Sequence, residues 1–511
     1  MPEEDYMVDI SGKVAQIKKL VDNRGYFTIN RARQYGKTTI LAALKRALND
    51  EYIVVSTSFE GLGDESFASS SAFCKAFLSC VEKALHWSSA TEDYIAEWED
   101  CDANNFKELS DHITAMCRNK KLVLMIDEVD RTSNNHVFLQ FLSMLRSKFL
   151  ARKGGNDYTF HSVILAGVYD IKNIKLKMTQ DGSYTAAPDE SNIFNSPWNI
   201  AVNFTVDMSF DPGEIASMLK AYENDHNTEM DIGVVSNEIY KYTSGYPFLV
   251  SRLCQCIDEE LEKTWTAAGV QRAVKVVMNE SNTLFDDVFK NLENNKDLSN
   301  MVYDLLILGE VRHFVIYDSV INIGVRYGFF NNVCERVAVS NKIFELLMTA
   351  YFIAKDLRSG KQITGVLQHD VVRDGWFDME LCLRKFAEHY KEIFNEQDVA
   401  FLERHGRLLF LSYLKPLING QGFYHIESQF TDLRRMDIFV DFGKQQFIIE
   451  LKLWRGEQYL AEAYEQLCNY LESKHVNEGY LLSFDFRKKS NKAREAEWKE
   501  INGKRIFDVM V

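Results

Sequence analysis

Residues 26–39 read Tyr-Phe-Thr-Ile-Asn-Arg-Ala-Arg-Gln-Tyr-Gly-Lys-Thr-Thr. Tyr26–Asn30 is a short apolar run with the length of a buried strand. A polar turn follows, and helical periodicity continues through Leu48. Strand, turn and helix in that order are what a phosphate-binding loop requires, because backbone N–H groups and a helix N-terminus then face one anion. Gly36 permits close backbone approach, Lys37 would neutralise β- and γ-phosphate charge, and the Thr38 hydroxyl would ligate Mg²⁺. Arg33, Gln34, Tyr35 and Thr39 complete the stretch expected to surround the phosphates. The loop departs from the GxxxxGK[ST] pattern at its first position, which is Arg31.

The second half of that signal is Val123-Leu-Met-Ile-Asp127-Glu128, four apolar strand residues ending in two carboxylates. Asp127 is expected to hold Mg²⁺ through water and Glu128 to polarise the attacking water of ATP hydrolysis. The two parts together point to ATP far more specifically than either alone. Around them, Tyr52–Phe59, Ser162–Ala166 and Asn199–Val206 also read as strands. Helical stretches are expected at Phe67–Trp87, Ala90–Arg118 and Val137–Phe149. Strands alternating with helices predict a parallel sheet with crossovers. Arg146 and Arg152 read as solvated helix-face residues, and Lys177–Pro197 as a surface loop.

Beyond Asp211 the pattern is mainly helical: Glu214–Glu223, Val235–Tyr242, Phe248–Lys263 and Val270–Leu292. Leu298–Leu308 and Lys342–Tyr351 flank two β-rich pieces, His313–Tyr317 and Cys334–Val339, an order compatible with a winged-helix unit. Thr243–Val250 contains a Gly-x-Pro turn. Arg358–Gly365 reads as a linker, and Glu380–Ser412 as helices ahead of a final α/β stretch. The expected division is 1–210, 211–365 and 366–511.

Composition bounds the function. The 511 residues carry 59 basic and 74 acidic side chains, net −15, which argues against a general polyanion-coating protein. The charge is uneven: Thr431–Val511 holds 14 basic and 14 acidic residues, so the whole deficit lies before it. Nine cysteines without CxxC spacing give neither a disulfide framework nor a zinc site. The acidic start lacks the apolar core of a signal peptide, and no apolar run is long enough to span a membrane. A cytoplasmic protein is expected.

A second constellation lies near the C-terminus. Asp437-Ile-Phe-Val alternates as a strand beginning in a carboxylate, and Phe447-Ile-Ile-Glu450-Leu-Lys452 is another, joined through the turn signal Asp441-Phe-Gly443-Lys444. As a hairpin these would bring Asp437 to Glu450 across a divalent ion. Glu450 and Lys452, two apart, share one strand face. Carboxylate oxygens suit Mg²⁺ or Mn²⁺, and Lys452 would orient the attacking water and offset charge on a phosphodiester.

Asp437 followed by Glu450-Leu-Lys452 resembles the PD-(D/E)XK nuclease superfamily. Gln466-Leu-Cys-Asn-Tyr470 is similar to the helical QxxxY motif of its RecB-like variety, and Glu403 to the upstream acidic residue of the metal site. The resemblance extends over nearly the whole chain. Tyr6-Met-Val-Asp9 and the loop ending Gly36-Lys37-Thr38-Thr39 resemble bacterial AAA-ATPase-like proteins with a C-terminal PD-(D/E)XK domain, in whose loops arginine commonly stands where Arg31 does. The resemblance implies a P-loop NTPase sheet with a helical or winged-helix lid and a C-terminal α/β nuclease domain. It implies ATP and Mg²⁺ as cofactors, with Mn²⁺ also suited to the nuclease site. It further implies nucleic acid as partner, DNA ahead of RNA, and a role in defence against foreign nucleic acid. Two other readings stay open: a nucleotide switch whose nuclease fold only binds nucleic acid or a partner, and a motor-like homo-oligomer. His405, His425 and the basic cluster Arg487, Lys488, Lys489, Lys492 and Arg494 are secondary; the histidines read as structural and the cluster as a solvated loop.

Overall fold

Four of the apolar runs pair into an all-parallel sheet: β1 (Tyr26–Asn30), β2 (Ile53–Ser58), β3 (Leu122–Asp127) and β4 (Ser162–Gly167). The spatial order is β1-β4-β3-β2, so β4 lies between the strand leading into the loop and the strand ending in Asp127. Alternate residues feed two apolar layers. Tyr26, Leu124, Ile126 and Leu165 pack on one face against the helices of residues 70–153. Phe27, Ile29, Met125 and Ile164 pack on the other against α1 (Ser11–Asp22) and α2 (Lys37–Leu48). Burial on both faces explains why these strands read as continuous apolar runs.

This computed structural model describes residues 6–129, 136–168, 176–178, 184–186, 193–194, 197–308, 310–358, 371–373, 375–393, 410–411, 413–415, 417–418, 422–427, 437–454, 456–485 and 496–511. The chain divides into two units, Met1–Val288 with Ile323–Phe329, and Phe289–Asn322 with Phe330–Val511.

Several elements differ from the sequence expectation for local reasons. Ala90–Arg118 is two helices, Glu92–Glu99 and Phe106–Cys117. Asn105 side-chain oxygen accepts from the N–H groups of Lys107 and Glu108 and so starts the second helix afresh. Val270–Leu292 likewise splits into Ala267–Met278 and Thr283–Asn294, with Asn282 accepting from Phe285 N–H. Asn199–Val206 contributes a single parallel bridge, Val202 to Phe27, rather than a strand. Within Lys177–Pro197, short segments pair as a three-stranded sheet with Leu176–Met178 at its centre. Arg152 is not a solvated residue: it donates to the carbonyls of Phe160, His161 and Arg24 and lies over the Tyr26 ring.

After the sheet come helices Pro212–His226, Ile232–Thr243 and Pro247–Glu259. Asp211 and Glu214 form a reciprocal capping box at the first of them. The winged-helix-like segment runs helix Lys296–Tyr303, a bridge from His313 to Arg336, helix Ser319–Arg326, hairpin Phe330–Val333 with Arg336–Val339, and helix Lys342–Arg358.

The second unit contains a six-stranded mixed sheet: β5 (Gly422–Glu427), β6 (Asp437–Phe442), β7 (Gln445–Leu453), β8 (Glu478–Phe484), β9 (Glu497–Ile501) and β10 (Lys504–Met510), in the order β5-β6-β7-β8-β10-β9. β6 and β7 form the expected hairpin, turning at Gly443, φ +59°. Asn502 and Gly503, both at positive φ, turn the β9–β10 hairpin. Between β7 and the parallel β8 the chain crosses through helix Glu457–Ser473. Its residues Leu460, Ala463, Leu467 and Leu471 bury against Phe439, Ile448 and Leu481.

His161, at the entrance to β4, reports on the first core. Its ring lies 4.9 Å from that of Tyr52. Burial, with Arg24, Arg152 and Lys121 nearby, pushes the imidazole down to about 4, against about 6.5 in an open chain. Between those pH values the unfolded chain binds a proton that the folded chain refuses. Stability from this group is therefore complete above about pH 6.5 and declines as pH falls toward 4. Replacing His161→Gln should flatten that part of the melting-temperature profile; an identical slope in both proteins excludes the effect.

Candidate nucleotide site and candidate metal centre

The loop after β1 curls because Gln34 (φ +55°) and Gly36 (φ +74°) are left-handed, which turns successive N–H groups toward one point. Gly36 is also the N-cap of α2. Lys37 is only 6% exposed, and its Nζ donates to the carbonyls of Arg31 and Ala32, both at 3.1 Å. Thr38 Oγ1 donates to Asp127 Oδ2 at 2.9 Å. Asp127, at the end of β3, also accepts Glu128 N–H through Oδ1 at 2.9 Å. Glu128 follows at φ +53°, a left-handed position uncommon for a side-chain-bearing residue. The structure thus brings Lys37, Thr38 and Asp127 together, with Glu128 next in line. Strands ending side by side in a parallel sheet leave such a crevice at their carboxyl ends.

Arg31 stands outside the loop. It donates to Asn30 O at 2.8 Å and Val206 O at 2.9 Å, and its guanidinium lies over Phe204. A side chain that leaves in this direction makes glycine unnecessary at that position. Arg33, Gln34 and Tyr35 turn to the helical region instead. Arg33 pairs with Asp287 at 3.3 Å, and Gln34 donates to Thr283 Oγ1 at 2.7 Å. Tyr35 meets Tyr246 edge-on at 4.6 Å, and the Tyr246 hydroxyl donates to Arg33 O at 2.6 Å. Thr39 lines a cavity of about 590 Å³ together with Val8, Ile10, Val14, Ala43 and Arg46.

The Gly-x-Pro turn is therefore a neighbour of the loop. A Cβ on Gly36 would lie 3.8 Å from Pro247, and one on Gly245 (φ +73°) would sit 1.9 Å from Phe210 O, so only glycine fits there. Gly328 (φ +74°) is also packed closely, with Ala32 Cβ 2.9 Å from where its own Cβ would be. Thr283, Asp287 and Gly328 were not legible as loop partners, since nothing in their local sequence marks a contact so distant in the chain.

At the second site the ladder register pairs Asp437 directly with Glu450, and Glu427 with Asp437. Directly opposed positions share a sheet face, so 437, 450 and 452 are on one side. Glu450 is 1% exposed. Lys452 Nζ lies 2.9 Å from its Oε1, an ion-pair distance, yet that oxygen has no donor in hydrogen-bond geometry. Gln466, on the crossover helix, has Oε1 3.4 Å from Lys452 Nζ. A buried carboxylate with an unanswered oxygen, opposite an aspartate position, fits a hard divalent cation. Glu403, His405 and the cluster from Arg487 to Arg494 lie outside the described residues, as do the side chains of Asp437 and His425, so Asp437 is placed by its strand register alone. On the far flank of the same helix, the Tyr464 hydroxyl and Lys499 both donate to Asp508. This network escaped the sequence reading because its members sit on three separate elements.

The family described as "AAA-like domain" matches residues 9–306. The chain belongs to this family. Residues 423–495 match the PD-(D/E)XK nuclease superfamily, so an ATPase-like fold and a nuclease-superfamily domain are joined in one polypeptide, as the resemblance implied. Such domains use nucleotide and a divalent metal in general. Among solved structures, a Walker-type ATPase of Pyrococcus abyssi is similar at 13% identity, covering 67% of this chain and 96% of that one, with a TM-score of 0.43. The ORC2 protein of Aeropyrum pernix, in ADPNP–ADP complexes, is similar at 10% identity over 68% and 96%, with a TM-score of 0.31. No curated protein matches significantly. Among the described residues no helix is long and apolar enough to cross a membrane.

The tie between turn and loop is measurable. Tyr246→Phe removes the donor to Arg33 O from a buried position and should lower the unfolding free energy by about 1 kcal/mol. An unchanged denaturation midpoint would show that this bond carries no net stability.

Proposed function

We propose that the chain is an ATP-gated, metal-dependent nuclease that cleaves DNA, with residues 1–210 holding nucleotide, 211–365 acting as lid and 366–511 cutting. The observation that carries this reading is the direct opposition of Asp437 and Glu450, with buried Glu450 and Lys452 on one sheet face. Asp437, Glu450 and Glu403 would hold the ion; a bound Mg²⁺ or Mn²⁺ supplies a polarised phosphodiester and a more acidic water. Lys452 presents a positive charge to the phosphate under attack, and Gln466 restricts where that ammonium can go.

At the other site the helix N-terminus and the N–H groups of residues 33–39 take the phosphates. Lys37 exchanges its two loop carbonyls for phosphate oxygens. Thr38 and Asp127, already bonded, hold Mg²⁺, and Glu128 directs water at the γ-phosphate. The cavity beside Thr39 is open for the nucleoside.

Gating is supported by where the loop's partners lie. Ala32, Arg33 and Gln34 touch Gly328, Asp287 and Thr283, and the chain passes between its two units at 288/289, 322/323 and 329/330. A loop that rearranges around phosphates thus acts on segments next to two of these crossings, 288/289 and 329/330. DNA as substrate and defence against foreign nucleic acid rest on the family resemblance.

Purified full-length chain should cut linear duplex or single-stranded DNA when Mg²⁺ or Mn²⁺ is added, with a rate that changes on adding ATP. Asp437→Ala should lower cleavage by more than roughly a hundredfold and leave binding of a fluorescent ATP analogue intact. A variant that cuts like the wild type overturns the nuclease assignment. Lys37→Ala should abolish analogue binding and remove the ATP effect; retained binding overturns the nucleotide site. Absence of cleavage of DNA and RNA in every condition, alongside tight ATP binding, favours the switch reading instead.

A further inference from the structure

One buried polar group beside the metal centre has no structural duty. Ser483 is in β8, and the parallel register sets it directly opposite Lys452, just as Leu481 is opposite Glu450. Leu481 faces the crossover helix. Ser483, two residues on, is therefore on that same face, next to the Glu450–Lys452 pair, with neighbouring strands about 4.8 Å apart. It is 1% exposed, and its Oγ has no hydrogen-bond partner. The backbone does not need the hydroxyl, because Ser483 O already accepts from Val511 N–H at 2.8 Å.

A buried hydroxyl without a partner is unfavourable, because it has given up its hydrogen bonds to water and received none in return. The rest of β8 from Tyr480 to Phe484 is apolar, so alanine would suit the packing better. Two other buried oxygens on this face lack a donor in hydrogen-bond geometry: Glu450 Oε1 on β7, which has Lys452 Nζ at 2.9 Å, and Asp508 Oδ1 on β10. Three such polar atoms on adjoining strands of one face, Ser483 Oγ between two carboxylate oxygens, describe a place prepared for something polar.

We propose that Ser483 is a positioning residue of the metal centre, its Oγ holding a water carried by a divalent cation bound at Asp437 and Glu450. This rests on the nuclease reading above and deepens it. The hydroxyl can both donate and accept, whereas Lys452 can only donate and Glu450 only accept. It is thus the one group of the three able to accept a hydrogen bond from such a water while donating one toward a carboxylate or phosphate oxygen. The cation itself takes its ligands from the carboxylates.

The test uses full-length protein without nucleotide, so that the P-loop does not contribute a second metal site. Mn²⁺ affinity is measured by the loss of the free-ion paramagnetic resonance signal, and thermal stability by calorimetry. Ser483→Ala should weaken Mn²⁺ binding by about tenfold or more, the size of effect seen when an outer partner of a metal site is lost. Its melting temperature without metal should be equal to or above that of the wild type, because an unpaired polar group has been removed. DNA cleavage at fixed Mn²⁺ should fall in parallel and recover at high Mn²⁺. Wild-type Mn²⁺ affinity in Ser483→Ala overturns the proposal, and so does a lowered melting temperature, which assigns the hydroxyl to the fold. Glu450→Gln separates the two levels. If it too binds Mn²⁺ as the wild type does, the metal centre itself is wrong; if it loses Mn²⁺ while Ser483→Ala keeps it, only the role of Ser483 fails.

Discussion

A carboxylate taken out of water must be answered by a cation or by donors, or it will not remain charged. Both candidate sites are built on that constraint. Asp127, 9% exposed, is answered by the Thr38 hydroxyl and the Glu128 N–H, which join the end of β3 to the first turn of α2. Glu450, 1% exposed, is answered in part by Lys452 at 2.9 Å. The two differ in completeness. Asp127 has a donor on each oxygen, whereas Glu450 keeps one oxygen without a properly directed donor. Fully satisfied, a buried carboxylate fixes geometry; partly satisfied, it retains affinity for a charge that arrives later.

The features legible in the sequence are those whose physics is local. A loop that must curl around phosphates needs its glycine, lysine and hydroxyl within three residues, so Gly36, Lys37 and Thr38 announce themselves. A strand buried on both faces must be apolar without alternation, which exposes Leu122–Asp127. The β6–β7 hairpin could be read to its register because Gly443 supplies the left-handed turn and the side-chain period of two then sets Asp437 against Glu450. The same locality explains the errors. Helix ends at Asn105 and Asn282 depend on whether a side-chain oxygen finds the next turn's N–H groups, and the apolar period alone does not reveal it.

What stayed hidden depends on segments far apart in the chain. Arg152 looked like a helix-face cation, yet three backbone carbonyls and the Tyr26 ring claim it. Its long stem reaches where an i,i+4 reading cannot follow. Nothing in the sequence marks Gly328, yet its lack of a Cβ is what lets the chain pass Ala32 of the loop. Ser483 carries no signal of its own in the sequence. Only the parallel pairing across the crossover helix sets it beside Lys452.

The phosphate loop carries a consequence of its own. Lys37 is bonded to two carbonyls of its own loop, so in the proposed nucleotide site an incoming phosphate would compete with Arg31 O and Ala32 O for the ammonium. Releasing those carbonyls frees residues 31 and 32, and residues 32–34 are held by Gly328, Asp287, Thr283 and the Tyr246 hydroxyl. In the proposed site the binding energy of a nucleotide would go partly into its own cradle and partly into partners contributed by the helical region. A ligand shifts a conformational equilibrium only by its difference in affinity for the two states. In the proposed site that difference would have a physical source: one state pairs Lys37 with the loop, the other would pair it with phosphate, and the loop could not serve both without its neighbours adjusting.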